Sequence, residues 1–266
     1  MGHDKLRKFA ENETFSCLLQ PSAQELLADG FFSLKDHEVK GHWNEMFFDA
    51  PRPIVLELGC GKGEYTIDLS QRVPQCNYIG MDIKGARLWK GAKYAHEHQL
   101  GNVAFLRSRI EFINAFFAPG EVSQIWLTFS DPQMKSENSR LTSPLFLERY
   151  RNILCKGGIV HLKTDSMFLH EYTKAVAVKN GLKILACTED LYADESAFEN
   201  RALYEVQTFY ERMFLEQGYK ITYLSFVIDK DGDYIYPEDP ADFDSAAARI
   251  AEGPRRSFSH QPQKKQ

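Results

Sequence analysis

The chain has 266 residues, of which 43% are hydrophobic and 13% aromatic, and its formal net charge at pH 7 is −5. This length predicts one α/β domain with modest appendages and a large apolar core. Nucleic-acid-binding proteins usually carry a net positive charge, so the net negative charge argues weakly against such a partner. Basic residues nevertheless cluster locally. No apolar run reaches the length of a membrane span, and no secretory signal is recognisable. We therefore expect no membrane partner and a cytoplasmic location.

Five scattered cysteines without a Cys-x-x-Cys pair predict neither a metal site nor a disulfide framework. Residues 1–50 show weak periodicity, and we expect an N-terminal extension of short helices packed on the core. The domain itself is predicted to span residues 51–236. Residues 237–266 are rich in proline, aspartate, alanine and basic residues, which predicts a mobile tail.

From Ile54 onward, predicted strands alternate with predicted helices, which is typical of a doubly wound, mostly parallel sheet with helices on both faces. The seven predicted strands are Ile54–Leu58, Tyr78–Asp82, Val103–Leu106, Ile125–Phe129, Ile159–Thr164, Leu182–Ala186 and Ile221–Ile228. The main predicted helices are Glu64–Leu69, Ser143–Leu154, Phe168–Val178 and Glu199–Glu216. Lys156–Gly158 is predicted to form the turn before the fifth strand.

The run Ile54-Val-Leu-Glu-Leu-Gly-Cys-Gly-Lys-Gly63 joins an apolar strand, a glycine turn and the start of a helix. Gly59, Gly61 and Gly63 permit a tight turn, and the helix start behind the turn favours an anionic ligand group. Glu57, at the end of the strand, is suited to an ammonium group. An acid beside an anion-binding turn fits a zwitterionic amino-acid ligand better than a pyrophosphate.

A second predicted strand, Tyr78-Ile-Gly-Met-Asp82, also ends in an acid. In doubly wound folds an acid at this position hydrogen-bonds ribose hydroxyls. The glycine turn and the acid together indicate an adenosine-containing cofactor. The spacing Gly-x-Gly-x-Gly, rather than Gly-x-Gly-x-x-Gly, favours S-adenosylmethionine over NAD.

Cofactors of such sheets bind at the carboxyl ends of the strands. This rule gathers around one crevice the residues Glu57, Asp82, Arg109, Asp131 and Asp165. Pro132 stiffens the loop that holds Asp131 and directs its carboxylate toward the crevice. The alternative interpretation is that Asp131 is an ordinary turn residue without a role in the site. Asp165 could equally cap the helix that follows it.

Several motifs occur together: Leu56-Glu-Leu-Gly-Cys-Gly-Lys-Gly63, Gly80-Met-Asp-Ile-Lys84, Phe129-Ser-Asp-Pro-Gln-Met-Lys135, Arg140-Leu-Thr142, Leu162-Lys-Thr-Asp165 and Thr208-Phe-Tyr-Glu211. The first two are common to many S-adenosylmethionine enzymes, whereas the combination of the Ser-Asp-Pro, Thr-Asp and Thr-x-Tyr-Glu motifs is more specific. On these motifs the chain resembles the tRNA (guanine-46-N7)-methyltransferase family between about Ile54 and Ile228. The opening Asp4–Phe9 also looks like the family's basic N-terminus.

The resemblance implies a Rossmann-like fold of the class I methyltransferase type, with S-adenosylmethionine as cofactor and tRNA as substrate. It implies that Glu57, Gly59, Gly61 and Asp82 hold the cofactor and that Asp131 is the central site carboxylate, beside both cofactor and base. The residues implied to contact the target nucleoside are Lys135, Asp165, Thr208, Phe209, Tyr210 and Glu211. No metal is implied, and either a monomer or a homodimer is compatible with the sequence.

The chain departs from the family pattern at three places. Ser130-Asp-Pro-Gln133 replaces the usual Pro-Asp-Pro-Trp, and the loop that follows is shorter and poorer in basic residues. Arg109 stands where an Asp or Asn usually meets the adenine, so Ile110 and the local backbone are alternative adenine contacts.

Guanine N7 carries a lone pair at neutral pH and needs no activating base, so the protein's task is positioning and electrostatics. Because the methylated base gains positive charge, a carboxylate such as Asp131 can stabilise it. Asp165 or Glu211 could accept hydrogen bonds from the guanine edge. The predicted RNA contacts are basic: Lys5, Arg7, Lys8, Lys84, Arg87, Lys135 and Arg140.

Three other functions are compatible with the sequence. One is a methyltransferase that acts on a small molecule or a protein. Another is a catalytically silent protein that binds RNA or the cofactor. A third is a dinucleotide oxidoreductase, although no constellation for hydride transfer accompanies the glycine turn.

Overall fold

The computed structural model describes residues 3–27, 30 and 33–237. Within these ranges, eight strands form one sheet in the order β1-β4-β3-β2-β5-β6-β8-β7. The strands are β1 (Leu18–Leu19), β2 (Ile54–Leu58), β3 (Asn77–Asp82), β4 (Val103–Arg107), β5 (Val122–Thr128), β6 (Leu154–Thr164), β7 (Lys183–Thr188) and β8 (Thr222–Val227). All neighbouring strands are parallel except that β8 runs antiparallel to both β6 and β7.

Helices cover both faces of this sheet. They are α1 (His3–Asn12), α2 (Ala23–Leu26), α3 (Trp43–Met46), α4 (Glu64–Arg72), α5 (Gly85–Glu97), α6 (Pro144–Arg151), α7 (Met167–Lys179), α8 (Ala202–Glu205) and α9 (Phe209–Glu216). Two 3₁₀ helices, Ile110–Ala115 and Glu137–Ser139, follow β4 and β5. None of the helices in the described ranges is long and apolar enough to cross a lipid bilayer.

Alternate residues of each strand supply two different apolar layers, as the pleat requires. On β2, Leu56 and Leu58 belong to the larger core, whereas Val55 packs into a second cluster rich in aromatic rings. The second cluster includes Tyr65, Trp126 and Tyr223 and is covered by α8 and α9. Glu57 points to the same face as Val55, so this acid lies at the edge of the aromatic layer.

The doubly wound, mostly parallel sheet is confirmed, with two differences in its strands. The sheet has eight strands instead of seven, because Leu18 and Leu19 pair with Phe105 and Leu106 and extend one edge. The turn predicted at Lys156–Gly158 lies within β6, where the pairing with β5 shifts register.

The single long helix predicted over 199–216 is wrong. Helices α8 and α9 are separated at Thr208, whose backbone is extended at φ −71° and ψ 162°. Thr208 is the N-cap of α9, so the chain begins a new helix there instead of continuing the first one.

The first 50 residues contribute β1 and the three short helices α1, α2 and α3. Trp43 is completely buried in the larger core, and its Nε1 donates to the carbonyl of Phe116 at 2.9 Å. The boundaries at residues 50 and 236 stay predictions. Residues 238–266, nearly the whole of the predicted tail, lie outside the described residues.

Candidate active site

The carboxyl ends of the four central strands meet at one edge of the sheet. Leu58 of β2 is in register with Met81 of β3 and with Leu127 of β5, and Thr128 pairs with Lys163 of β6. The acids that end or follow these strands therefore share one edge, where the sequence predicts the crevice.

The turn after β2 requires glycine for two different reasons. Gly59, Gly61 and Gly63 have φ values of +76°, +58° and +71°, a region that favours glycine. A side chain at Gly59 or Gly61 would meet no atom within 4 Å, so open space lies over that part of the turn. At Gly63, by contrast, a Cβ would lie 2.5 Å from Cε1 of Phe105.

Glu57 is almost completely buried beneath this turn. Its Oε2 accepts hydrogen bonds from the backbone N–H of Thr66 at 2.9 Å and from the Thr66 hydroxyl. Its Oε1 accepts a third from the hydroxyl of Thr128 at 2.5 Å. Burial nevertheless dominates and raises the pKa of Glu57 to about 7. A positive charge bound above Glu57 would favour its ionised form.

Asp82 ends β3 beside the same turn. Its Oδ2 accepts from the N–H of Gly61 at 3.0 Å, and its Oδ1 accepts from the N–H of Lys84 at 2.7 Å. These two bonds fix the carboxylate against the glycine turn. Each oxygen keeps further lone-pair capacity, which matches an acid that accepts from ribose hydroxyls.

The loop after β5 holds Asp131 in an unusual backbone arrangement. Phe129 and Gln133, on either side of Asp131, have φ values of +52° and +48°, which is uncommon for residues other than glycine. Asp131 is exposed, and its Oδ1 accepts from the N–H of Gln133 at 2.9 Å. Such strain is concentrated at functional sites. The buried hydroxyl of Ser130 has no hydrogen-bond partner among the described residues.

Arg109 and Ile110 lie where β4 passes into a 3₁₀ helix. The exposed side chain of Arg109 turns toward that helix: its Nη2 is 3.2 Å from Oε1 of Glu111, and its guanidinium lies 5.5 Å from the ring centroid of Phe112. Ile110 is half-buried and packs against the larger core. Both residues are at the crevice edge, and their contact with an adenine stays a prediction.

The end of β6 supplies Asp165, which is half-buried. The helix after it is capped by Ser166, whose Oγ accepts from the N–H of Leu169 at 3.1 Å. The N-cap position is therefore that of Ser166, the residue after Asp165. Lys135, in the loop after β5, is exposed.

The start of α9 forms a further wall of the crevice. Thr208 and Glu211 make a reciprocal capping box, in which the Thr208 hydroxyl accepts from the N–H of Glu211 at 3.1 Å. Phe209 is half-exposed, and its N–H donates to Oε2 of Glu64 at 3.0 Å. The ammonium of Lys62 lies 5.3 Å from the Phe209 ring centroid. These contacts bring Thr208, Phe209 and Tyr210 beside the glycine turn.

Glu211 itself points inward and is completely buried. Its Oε1 is 2.7 Å from Nζ of Lys163, which is also completely buried. The phenol of Tyr192 donates to the same oxygen at 2.7 Å. A direct contact between Glu211 and a nucleoside stays a prediction, and it would require this arrangement to open.

Lys163 is the residue that the sequence analysis did not assign, although it lies in the quoted motif Leu162-Lys-Thr-Asp165. Its ammonium also donates to the carbonyls of Leu203 at 2.7 Å and Val206 at 3.1 Å. Burial lowers the pKa of Lys163, while Glu211 acts in the opposite direction. A lysine that directly follows apolar residues in a predicted inner strand was the available signal, because buried charges require partners.

These residues fit an S-adenosylmethionine donor. Open space lies over Gly59 and Gly61. The Asp82 carboxylate is fixed at the end of β3. Glu57 is a buried acid, and a bound cation would favour its ionised form. The fold and this crevice define the Rossmann-like class of S-adenosylmethionine-dependent methyltransferases. A solved 16S rRNA methyltransferase, KamB, shares the fold with a TM-score of 0.53 and 14% identity, over 73% of this chain and 94% of that one.

Comparison with known sequences identifies the family within this class of methyltransferases. A family described as "Putative methyltransferase" matches residues 51–224. The tRNA (guanine-N(7)-)-methyltransferase of Christiangramia forsetii is 50% identical over 227 residues, which cover 85% of this chain and 98% of that protein. The enzyme of the same name from Bacteroides fragilis is 44% identical over 248 residues, 92% of this chain and 94% of that protein. The chain belongs to the tRNA (guanine-N7)-methyltransferase family.

Proposed function

We propose that this protein transfers a methyl group from S-adenosylmethionine to N7 of guanine 46, in the variable loop of tRNA, and that it does so in the cytoplasm. The observation that carries the proposal is the shared edge of the sheet, where Glu57, Asp82 and Asp131 lie at or just after the carboxyl ends of three adjacent strands. The family relationship supports both the reaction and the substrate.

The cofactor would lie along the glycine turn. S-adenosylmethionine supplies an electrophilic methyl group on a sulfonium when it is bound. Asp82 would accept hydrogen bonds from the ribose hydroxyls, because its carboxylate is already fixed by the N–H groups of Gly61 and Lys84. Glu57 would favour the positive end of the amino-acid portion through the buried network that it forms with Thr66 and Thr128. Ile110 and Arg109 would border the adenine.

Asp131 is the proposed catalytic residue. Guanine N7 needs no base, so Asp131 would act through its charge and stabilise the positive charge that develops on the methylated base. Its exposure leaves it accessible to a base, and the strained backbone at Phe129 and Gln133 fixes the loop that carries it. The uncommon backbone geometry on both sides is consistent with a functional requirement at this position.

The proposed substrate contacts lie on the loops that flank Asp131. Lys135 would pair with a phosphate, and Asp165 would accept hydrogen bonds from the guanine edge. Thr208, Phe209 and Tyr210 would contact the target nucleoside, with the half-exposed ring of Phe209 available for stacking. Glu211 would support them from behind through the capping box.

The test is a transfer assay with radiolabelled S-adenosylmethionine and an unmodified tRNA transcript, followed by chemical cleavage at 7-methylguanosine. A single cleavage at guanine 46 is the expected result. A matched transcript with adenosine at position 46 should accept no label. Consumption of the cofactor with another acceptor, or labelling of both transcripts, would contradict the proposal.

A further inference from the structure

We propose that a pocket between α1 and the start of α5 binds a backbone phosphate of the tRNA. This inference rests on the proposed function, because it extends the substrate-binding surface of the same protein. The pocket has a volume of about 400 Å³ and is lined by four basic side chains: Lys5, Lys84, Arg87 and Arg107.

The pocket is built around a glycine and an aromatic ring. A Cβ at Gly85 would lie 2.8 Å from Nε of Arg107 and 2.8 Å from Cε1 of Phe9, so glycine allows both side chains to pack over the start of α5. The guanidinium of Arg107 lies 4.8 Å from the Phe9 ring centroid. An aromatic face orients a guanidinium without using its N–H groups. Nη1 of Arg107 donates to Oε1 of Gln20 at 3.2 Å, and the remaining N–H groups of the guanidinium can donate to an anion.

The four cations of the pocket differ from their neighbours in their pairing. On the same two helices, Arg7 and Lys8 pair with Asp4, Lys90 pairs with Glu64, and Lys93 pairs with Glu97. No carboxylate lines the pocket, and none in the described part of the chain lies within 4.0 Å of a cationic nitrogen of its four basic residues.

Like charges that converge without a counter-ion repel one another, and a bound anion relieves that repulsion. The first turn of α5 contains no acid, so its free N–H groups add to the positive potential. The Asp82 carboxylate accepts from the N–H of Lys84, immediately before that turn. The chemistry of the pocket is therefore that of a phosphate site.

Its position selects tRNA as the source of the phosphate. The pocket begins one residue after Asp82, at the exposed Ile83, and the N–H of Lys84 is bonded to the Asp82 carboxylate. An RNA strand whose target base enters the crevice has its neighbouring phosphates close to this edge. A protein with a net charge of −5 requires such local basic surfaces to bind RNA.

The test compares two double variants with the same change in charge. Lys5→Gln/Arg87→Gln removes two exposed cations from the pocket. Lys156→Gln/Lys183→Gln removes two exposed cations near the amino ends of β6 and β7, at the opposite edge of the sheet. Binding of unmodified tRNA is measured by fluorescence anisotropy over a series of KCl concentrations, and methyl transfer is measured in parallel at saturating tRNA.

We expect the pocket variant to bind tRNA roughly three- to tenfold more weakly than the wild type and the control to bind normally. The slope of log K against log salt should become shallower by about 1 for each removed residue that contacts a phosphate. Equal affinity and slope in the pocket variant and the wild type would overturn the inference, as would an equal loss in the control. A wild type that binds tRNA but transfers no methyl group would refute the proposed function and leave the binding comparison interpretable.

Discussion

Lys163 and Glu211 form an ion pair of 2.7 Å in which both side chains are completely inaccessible to solvent. Lys163 belongs to β6, in the centre of the sheet, whereas Glu211 belongs to the first turn of α9. The pair therefore joins the rigid part of the fold to the segment that carries Thr208, Phe209 and Tyr210. Through the carbonyls of Leu203 and Val206, the same ammonium also fixes the end of α8.

Removal of the lysine should destabilise the protein strongly. Lys163→Met leaves the Glu211 carboxylate buried without its cation, which costs about 3–5 kcal/mol in the free energy of unfolding. Lys183→Met is the matched control, because Lys183 is exposed and a surface substitution costs about 0.5 kcal/mol or less. Urea unfolding measures both values. Equal unfolding free energies for the two variants would show that the buried pair is unimportant.

A double-mutant cycle separates the pair from the capping box. Glu211→Gln removes the charge but keeps a residue that also forms capping boxes. The combined Lys163→Met/Glu211→Gln variant should be more stable than the sum of the single effects predicts, because neither buried charge is then left alone.

If the pair positions the start of α9, the variants that remain folded should raise the KM for tRNA while the Kd for S-adenosylmethionine stays unchanged. Strictly additive stabilities would exclude coupling between these two side chains.

The buried carboxyl of Glu57 should make stability depend on pH. Its pKa in the folded protein is about 7, against an ordinary value of 4.5. Between these two values the unfolded chain has already released the proton that the folded protein retains, so the free energy of unfolding falls as the pH rises. The loss should reach about 3 kcal/mol above pH 7. Urea unfolding of the wild type and of Glu57→Gln between pH 4.5 and 7 tests this dependence. The glutamine variant should not show the part of the pH dependence that Glu57 causes.

Cofactor binding should release a proton from the same group. A positive charge bound above Glu57 favours its ionised form and lowers its pKa, so binding near pH 7 should be accompanied by proton release. Calorimetry in two buffers of different ionisation enthalpy measures the number of protons directly. Glu57→Gln is expected to release fewer protons than the wild type. Identical proton release in the two proteins would assign the titration to another group.

The strands were predictable because short apolar runs bounded by glycine, proline and polar residues have few alternatives. The two-residue strand Leu18–Leu19 was not predictable, because a run of two residues has no pattern. The break in the helix predicted over 199–216, unlike that strand, has a signal in the sequence. Its apolar periodicity continues across the break, but Thr208 and Glu211 have the spacing of a capping box, and that signal decides the structure.

The shared edge on which these acids lie was predictable from a topological rule alone, since the carboxyl ends of parallel strands meet at one edge. The buried residues that hydrogen-bond or pair with the acids of the site were not predictable. Thr66 and Thr128 hold Glu57, and Lys163 holds Glu211, across segments that are remote in sequence. Sequence shows which residues are polar within an apolar strand, but the partner that satisfies each one depends on how the helices pack.

Two glycines of the turn should respond differently to the same substitution. Gly61→Ala introduces backbone strain of about 1–2 kcal/mol at a positive φ, with no neighbouring atom in the way of the new methyl group. Gly63→Ala adds a contact of 2.5 Å with Phe105 to the same strain and should cost about 3 kcal/mol or more.

The two variants should also differ in cofactor binding. The methyl group at position 61 projects into the open space where the cofactor is proposed to lie, so Gly61→Ala should weaken S-adenosylmethionine binding more than it weakens folding. Isothermal titration calorimetry and urea unfolding measure the two effects separately. Normal cofactor affinity in Gly61→Ala would place the cofactor elsewhere.

Asp131→Asn tests the charge at the centre of the site while preserving its shape. Asparagine keeps a carbonyl oxygen that can accept from the N–H of Gln133, so the loop should retain its conformation. The carboxylate is proposed to stabilise the positive charge that develops on the base as the methyl group moves. We therefore expect kcat to fall roughly a hundredfold and the Kd for S-adenosylmethionine to rise much less. Glu189→Gln is the control, since Glu189 is an exposed acid that follows β7 at the same edge of the sheet. Single-turnover transfer to tRNA measures the chemical step directly. Near-normal turnover in Asp131→Asn would assign the stabilisation of the methylated base to another group.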